Sequence, residues 1–347
     1  MFEEVADVAC EPYSPYVQDS PRDYSLRRLK QLGEELDAGQ LLDGHPLCVY
    51  VTGSYGRLEA WEKSDIDPFF LYDSADETQR FPWTSFVRLS ARLIDVAQEM
   101  DFPPFSKDGK YLEVQYVSEM ERVLGSPSDD SLNAFTARML LLLESQPLHD
   151  EAVYLRLLKR IIGFYYRDFE DHADSFLPTF LVNDILRFWR TLTLNYEHHR
   201  LGLGTALTEK DLAAEELAKK KADSALKNYK LKVSRLSTCF SMVSNLSAMA
   251  PPVKPEQVFD LCRITPAERF TRLSSQSQAS GDLVEKLVTV YGEFLEQVQR
   301  DEDVLLTEFA EADNRREASA SASRYGDLIY ALLKEVTPAD RMRYLVI

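Results

Sequence analysis

The chain has 347 residues, 57 of them acidic against 40 basic, and a formal net charge of −17. That length suggests two domains, and 45% hydrophobic with 28% charged residues excludes a disordered, collagen-like or disulfide-framed protein. A chain this acidic repels a phosphate backbone unless its basic residues are strongly segregated, which excludes a generic electrostatic coat for nucleic acid.

The first 20 residues contain prolines and acids without periodicity. They lack the basic region and apolar core of a signal peptide. From Pro21 to about Asp37 the spacing of Tyr24, Leu26, Leu29, Leu32 and Leu36 predicts a helix, with Ser20 and Pro21 as its capping and first-turn residues. Leu47 to Thr52 is a short apolar run rich in β-branched residues and ended by Gly53, the pattern of a buried strand. Ile66 to Tyr72 is a second strand, Trp83 to Met100 a helix and Tyr111 to Val117 a third strand. Ser126 to Ser131 is a polar break, after which nearly everything reads as helix: 132–145, 150–167, 179–198, 207–248, 281–298, 302–316 and 324–335. Within this region, Ser274 to Ser280 and Ala318 to Ser323 read as short turns or linkers. The expected class is therefore α+β, a small α/β head over residues 1–125 and an all-α domain over 126–347.

The longest notable apolar run, Met139 to Leu143, falls far short of the roughly 20 residues of a membrane span, so no membrane association is expected. Cys10, Cys48, Cys239 and Cys262 are scattered and match no zinc spacing. They read as the reduced thiols of a cytoplasmic protein. The apolar face of Leu283, Val284, Leu287, Val290, Tyr291, Phe294 and Val298 reads as core or as the face of a homodimer.

The informative segment runs from Val49 to Asp67: a strand, a Gly-Ser turn, a short helix and a second strand opening on Asp-x-Asp. Gly53 permits a sharp turn and a close ligand approach. Ser54 offers a hydroxyl and a backbone N–H at the start of a helix, where unpaired donors favour phosphate. Asp65 and Asp67 alternate with Ile66, so both carboxylates point to one face, about 7 Å apart along the strand. Such oxygen ligands suit magnesium completed by substrate phosphates. Pro68 follows directly and removes a strand N–H, which predicts that Asp67 sits at an edge, a bulge or a strand end.

GSYGRLEAWEKSDID closely resembles the signature of the polymerase-β-type nucleotidyltransferase superfamily, a Gly-Ser turn followed by Asp-x-Asp. Its wording is nearest the branch that contains the bacterial signal-protein uridylyltransferase. The runs FTARMLLLLESQPL, FLVNDILRFWRTLTLNYE and LKNYKLKVSRLSTCFSM look like those of bacterial nucleotidyltransferases with a helical C-terminal domain. The resemblance implies a mixed-sheet catalytic head closed by that domain. It implies that Gly53 and Ser54 hold the β- and γ-phosphates of a nucleoside triphosphate and that Asp65 and Asp67 bind magnesium. It further implies a third carboxylate on a later strand, for which Glu113 in YLEVQYV is the best match, with Asp108 and Glu119 as fallbacks. Arg57 and Glu59 belong to the motif, either as substrate contacts or as an ion pair between elements.

The acidic head needs cations opposite it, and two helical faces can supply them. Asn183, Arg187 and Arg190 share one face. Farther on, Lys230 and Ser234 share a face, as do Lys232 and Arg235. The resemblance places a Lys and a Ser of a following helix on the triphosphate, which suits Lys230 and Ser234. The expected function is a magnesium-dependent transferase that moves a nucleoside monophosphate to an acceptor hydroxyl, on a protein, small molecule or RNA. The alternative is a nucleotide-sensing regulatory or interaction protein whose chemistry has lapsed.

Overall fold

The computed structural model describes residues 20–37, 42, 44–74, 78–105, 109, 112–201 and 214–345. Helix α1 spans Pro21–Asp37, and β1, Leu47–Thr52, leads into a single helical turn, α2, Gly53–Gly56. Strand β2 is Asp67–Tyr72, α3 is Trp83–Glu99 and β3 is Val114–Tyr116. Short helices α4 (Val117–Val123), α5 (Pro127–Ser131) and α6 (Ala134–Leu143) precede a fourth strand, β4, Gln146–His149. The four strands form one mixed sheet in the order β3-β2-β1-β4, with β2 and β3 parallel and the other pairs antiparallel.

The remainder is helical: α7 (Glu151–Gly163), α8 (Thr179–Arg200) and α9 (Ala214–Lys230), then a π-helical turn at Leu231–Arg235 that runs into α10 (Leu236–Ala248). After these come α11 (Pro255–Cys262), α12 (Pro266–Arg272), α13 (Gln278–Val298), α14 (Glu302–Ala310), α15 (Ala312–Val336) and the single turn α16 (Ala339–Met342). The α+β class agrees with this architecture.

Every residue of β1 is buried, because the strand has a core on each side. Leu47, Val49 and Val51 face a head core closed by α1 and α3. Cys48 and Tyr50 face a second core built from α4, α6, α7, α8, α10 and α11. A strand covered on both faces reads as an unbroken apolar run, and that is what LCVYVT is. A third core joins α9, α13, α14 and α15. Val284, Leu287, Val290, Tyr291 and Phe294 belong to it, so that face is covered by the chain's own helices.

Several expectations are corrected. Residues 146–149, between the expected helices 132–145 and 150–167, form β4, which pairs with β1, so the region beyond 125 is not all-α. Strand β3 keeps only three residues of the expected 111–117. Val117 opens α4 and Tyr111 lies outside the described residues. Ala318 to Ser323 is not a linker but the interior of α15, where buried Ala318 and Ala322 allow close packing. Cys48, Cys239 and Cys262 are buried free thiols, and burial pushes the latter two up to about 12; Cys10 lies outside the described residues. Among the described residues no helix is long and apolar enough to cross a membrane.

Candidate active site

Strand β1 ends at Thr52, whose register partner across the ladder is Asp67. Gly53 follows with φ +70°, a conformation that β-carbon-bearing residues rarely adopt. It also lies against the carboxylate: a Cβ there would sit 2.7 Å from Asp67 Oδ2. The two halves of the motif are thus in direct contact. Tyr55 plugs the turn into the head core, 1% exposed and edge-on to Phe102.

The connection to β2 is pinned by hydrogen bonds. Backbone N–H groups of Arg57 and Glu59 donate to the carbonyls of Gly53 and Ser54 at 3.0 and 2.9 Å. Ala60 N–H donates to Ser25 Oγ on α1, and Trp61 N–H to Ser64 Oγ. From here Ile66, Pro68 and Phe70 point into the protein, while Asp65, Asp67 and Phe69 alternate to the other side, partly exposed. Asp67 is the first residue of β2. Strand β3 joins only at Phe70, so Pro68 stands ahead of that ladder, in agreement with the expected strand end.

The helical body frames this pair through a chain of charges. Arg57 Nε donates to Glu59 Oε2 and Arg57 Nη1 to Glu144 Oε2, both at 2.8 Å. Tyr291 of α13 donates to Glu59 Oε1 at 2.7 Å, and Thr238 of α10 donates to Glu144 Oε2 at 2.7 Å. Arg235 forms an ion pair with Glu144 Oε1. The Glu144 side chain is fully buried, whereas Arg235 remains one-third exposed. A Cβ on Gly56 would collide with the Glu144 carbonyl, so the motif's second glycine lets the turn lie flat on the end of α6.

The electrostatics follow this geometry. Burial, then the neighbouring Asp65, raises Asp67 to about 6, against the pull of Arg235 and Arg57. Burial opposes the charged form of Arg57, but Glu59 and Tyr291 outweigh it, and its pKa lies above the usual value. Arg235 is drawn down to about 10, by burial first and Arg57 second, in spite of Asp67 and Asp65.

Of the expected site residues, the structure brings Gly53 against Asp67, with Ser54 on the connecting turn and Asp65 two residues before Asp67, while Arg57 and Arg235 meet at Glu144. The π turn carries Ser234 and Arg235 inward and leaves Lys230 on the surface. Such turns add residues to a helical circuit and recur at functional sites. Ser234 Oγ is buried with no hydrogen-bond partner among the described residues.

Two residues go elsewhere. Arg187 pairs with Asp129, Asp184 and Asp130 at 3.2, 3.5 and 3.7 Å and lies over the Phe135 ring. The polar break at 126–131 and the buried Asp184 hold it there, in a cluster centred on buried Arg138. Glu113, expected among apolar strand neighbours, is exposed and stands one residue before β3, where its Oε1 accepts from Gln115 Nε2 at 2.8 Å. Alternation from Val114, which faces the head core, puts it on the sheet face of Asp67. Among the described residues no three His, Cys, Asp or Glu side chains converge as metal ligands. Glu119 pairs with Arg122, and Asp108 lies outside the described residues.

Glu144, Thr238 and Tyr291 were not anticipated. One signal was available: Glu144 ends the apolar run MLLLL, and a carboxylate so placed must find a cation or stay uncharged.

The family model described as "Putative nucleotidyltransferase DUF294" matches residues 17–110. The matched stretch contains Gly53, Ser54, Arg57, Asp65 and Asp67 and ends before Glu113 and the helical body. It supports the nucleotidyltransferase superfamily and nucleotidyl transfer in general. No curated protein and no solved structure matches the chain.

Proposed function

We propose that the protein is a magnesium-dependent nucleotidyltransferase that moves a nucleoside monophosphate from a triphosphate to an acceptor hydroxyl, with release of pyrophosphate. The observation that supports this reading is the close approach of Gly53 to Asp67, which sets the phosphate turn against the Asp-x-Asp carboxylates. Two partly exposed carboxylates are hard oxygen donors and fit a magnesium ion whose remaining ligands are phosphate oxygens and water. They are too few for a cage made of protein alone. Magnesium bound there would neutralise charge developing on the transferred phosphoryl group and on the leaving pyrophosphate.

The chain's own residues supply position and charge. Gly53 leaves room for the phosphates, and Ser54 offers its hydroxyl and backbone N–H. Arg235 and Ser234 would face them from the helical body, with Lys230 reaching in from the surface. Arg57 is a frame residue, its donors taken by Glu59 and Glu144. Glu113 is the group on the Asp67 face best suited to take the acceptor's proton. The uridylyltransferase-like branch remains the nearest pattern, and a protein or small-molecule acceptor suits so acidic a chain better than nucleic acid.

Asp65→Ala and Asp67→Ala should each abolish transfer from a labelled triphosphate while leaving the fold intact by circular dichroism. Undiminished transfer in either variant sinks the mechanism. One observation favours the sensor reading: no third carboxylate joins the pair among the described residues. Calorimetry with each triphosphate and magnesium, run beside a pyrophosphate-release assay, separates the two. Binding without release selects the sensor.

A further inference from the structure

Two residues hold the phosphate turn twice over. The backbone N–H groups of Arg57 and Glu59 donate to the carbonyls of Gly53 and Ser54, and their side chains are joined to each other by the bond from Arg57 Nε to Glu59 Oε2. Arg57 Nη1 continues to Glu144, which ties that end to the close of α6. The remaining oxygen of Glu59, Oε1, accepts from the hydroxyl of Tyr291 on α13 at 2.7 Å. The Glu59 side chain is 8% exposed, so water has little room to replace that donor.

Tyr291 is itself braced. Its ring stacks on that of Tyr325 of α15, with centroids 5.9 Å apart, and lies against Phe294 in the third core. The Tyr325 hydroxyl shares a 2.6 Å hydrogen bond with Ser237, which donates to the Val233 carbonyl in the π turn. A phenylalanine at 291 would fill the same core volume. The hydroxyl is therefore what the core does not need and the turn uses.

We propose that Tyr291 is a positioning residue for the phosphate turn, acting through Glu59 and Arg57 to hold the Gly53 and Ser54 backbone in the shape that receives a triphosphate. The inference rests on the nucleotidyltransferase reading and deepens it, by assigning a role at that turn to a residue far outside the matched stretch 17–110. With the hydroxyl in place, both oxygens of Glu59 have donors and the carboxylate is fixed. Without it, Oε1 is a buried carboxylate oxygen lacking a donor, and the side chain gains by turning toward water. Arg57 then follows or loses its Nε partner, and either change loosens the segment whose N–H groups hold the turn. Misplacing a binding group by a fraction of an ångström is enough to weaken what it binds. The turn meets phosphate and not the base, so the loss falls on the phosphate part of the ligand. No covalent step is involved.

The test uses the intact protein and two kinds of probe with magnesium, the four non-hydrolysable nucleoside triphosphates and inorganic tripolyphosphate, each titrated by calorimetry. Tyr291→Phe should bind the preferred triphosphate and tripolyphosphate about tenfold more weakly than the wild type, by equal factors. In a Glu59→Ala background the same substitution should change neither affinity by more than about twofold, because the group through which it acts is gone. If that background does not fold, the comparison of the two probes in Tyr291→Phe alone decides. Unchanged affinities in folded Tyr291→Phe, whatever its urea midpoint, mark a merely structural tyrosine and overturn the inference while leaving the transferase reading standing. A loss confined to the nucleoside triphosphate, losses that add in the double variant, or a wild type that binds the triphosphate but not tripolyphosphate overturn it likewise. A wild type that neither binds triphosphate nor releases pyrophosphate overturns both.

Discussion

Asp67 shows how a residue suited to function sits at odds with folding. Its carboxylate is wedged against Gly53 and beside Asp65, and both burial and that neighbour favour its protonated form. A carboxylate with a folded pKa of about 6, against 3.8 ordinarily, binds its proton more tightly in the folded chain. Its contribution to stability is therefore complete below about pH 4 and is lost as the pH rises through about 6. Asp67→Asn in metal-free buffer should then stabilise the protein at pH 7.5 by about 1–3 kcal/mol and have little effect at pH 4. Urea unfolding at the two pH values measures this, and a variant less stable at pH 7.5 contradicts it. This site was legible in the sequence because glycine, serine and the alternating aspartates are each tied to a local conformation. Glu144 was not, because its partners Arg57, Arg235 and Thr238 lie 87 or more positions away.

Among the elements, α5, α6 and α8 are locked by charge as much as by apolar packing. Arg138 on α6 is fully buried, donates to both Asp129 oxygens at 2.8 Å and reaches Asp184 on α8 at 3.2 Å. Tyr165 completes the cage, accepting from Arg138 and donating to Asp184, each at 2.8 Å. Arg138→Met should destabilise the protein by about 3–5 kcal/mol, because buried carboxylates lose their main counter-ion. Adding Asp129→Asn and Asp184→Asn should recover most of that loss in a denaturant titration. A single variant within 1 kcal/mol of wild type, about the effect of an exposed pair, would show that the cluster is not needed. Helices with strong periodicity, such as α1, α3 and α13, were legible in advance. Strand β4 was not: Gln146-Pro-Leu-His149 is short, contains proline and shows no alternation, and only pairing with β1 makes it a strand. Likewise Ala318 and Ala322 read as linker residues until α10 and α13 pack beside α15 and give small side chains a purpose.

At the scale of the molecule, the sheet divides its faces between two cores, and one of those cores is built almost wholly from residues beyond 125. Cys48, Tyr50 and Leu71 would be bare without α6, α7 and α10. A fragment of residues 1–125 should therefore fail to fold, while the full chain loses its sheet and this helical core in one cooperative transition. Near-ultraviolet dichroism and Trp fluorescence, followed together in urea, should trace coincident curves. A soluble fragment with a protected β1 in hydrogen exchange would refute this. The length of the chain suggests two units, and the motif that the family model matches lies in the first. What periodicity could not reveal is that the head's sheet takes its last strand, and its second core, from the helical half.

The bond from Tyr291 to Glu59 joins residues 232 positions apart in the chain. During synthesis the carboxylate pair leaves the ribosome early, whereas Glu144, Arg235 and finally Tyr291 follow in that order. At roughly 5–20 residues per second, the wait between Glu59 and Tyr291 lasts on the order of 10–50 s. For that interval a growing chain carries both aspartates without the frame that aims them. Under the proposed function, a chain cut short before Tyr291 would carry both aspartates without the bond that holds Glu59.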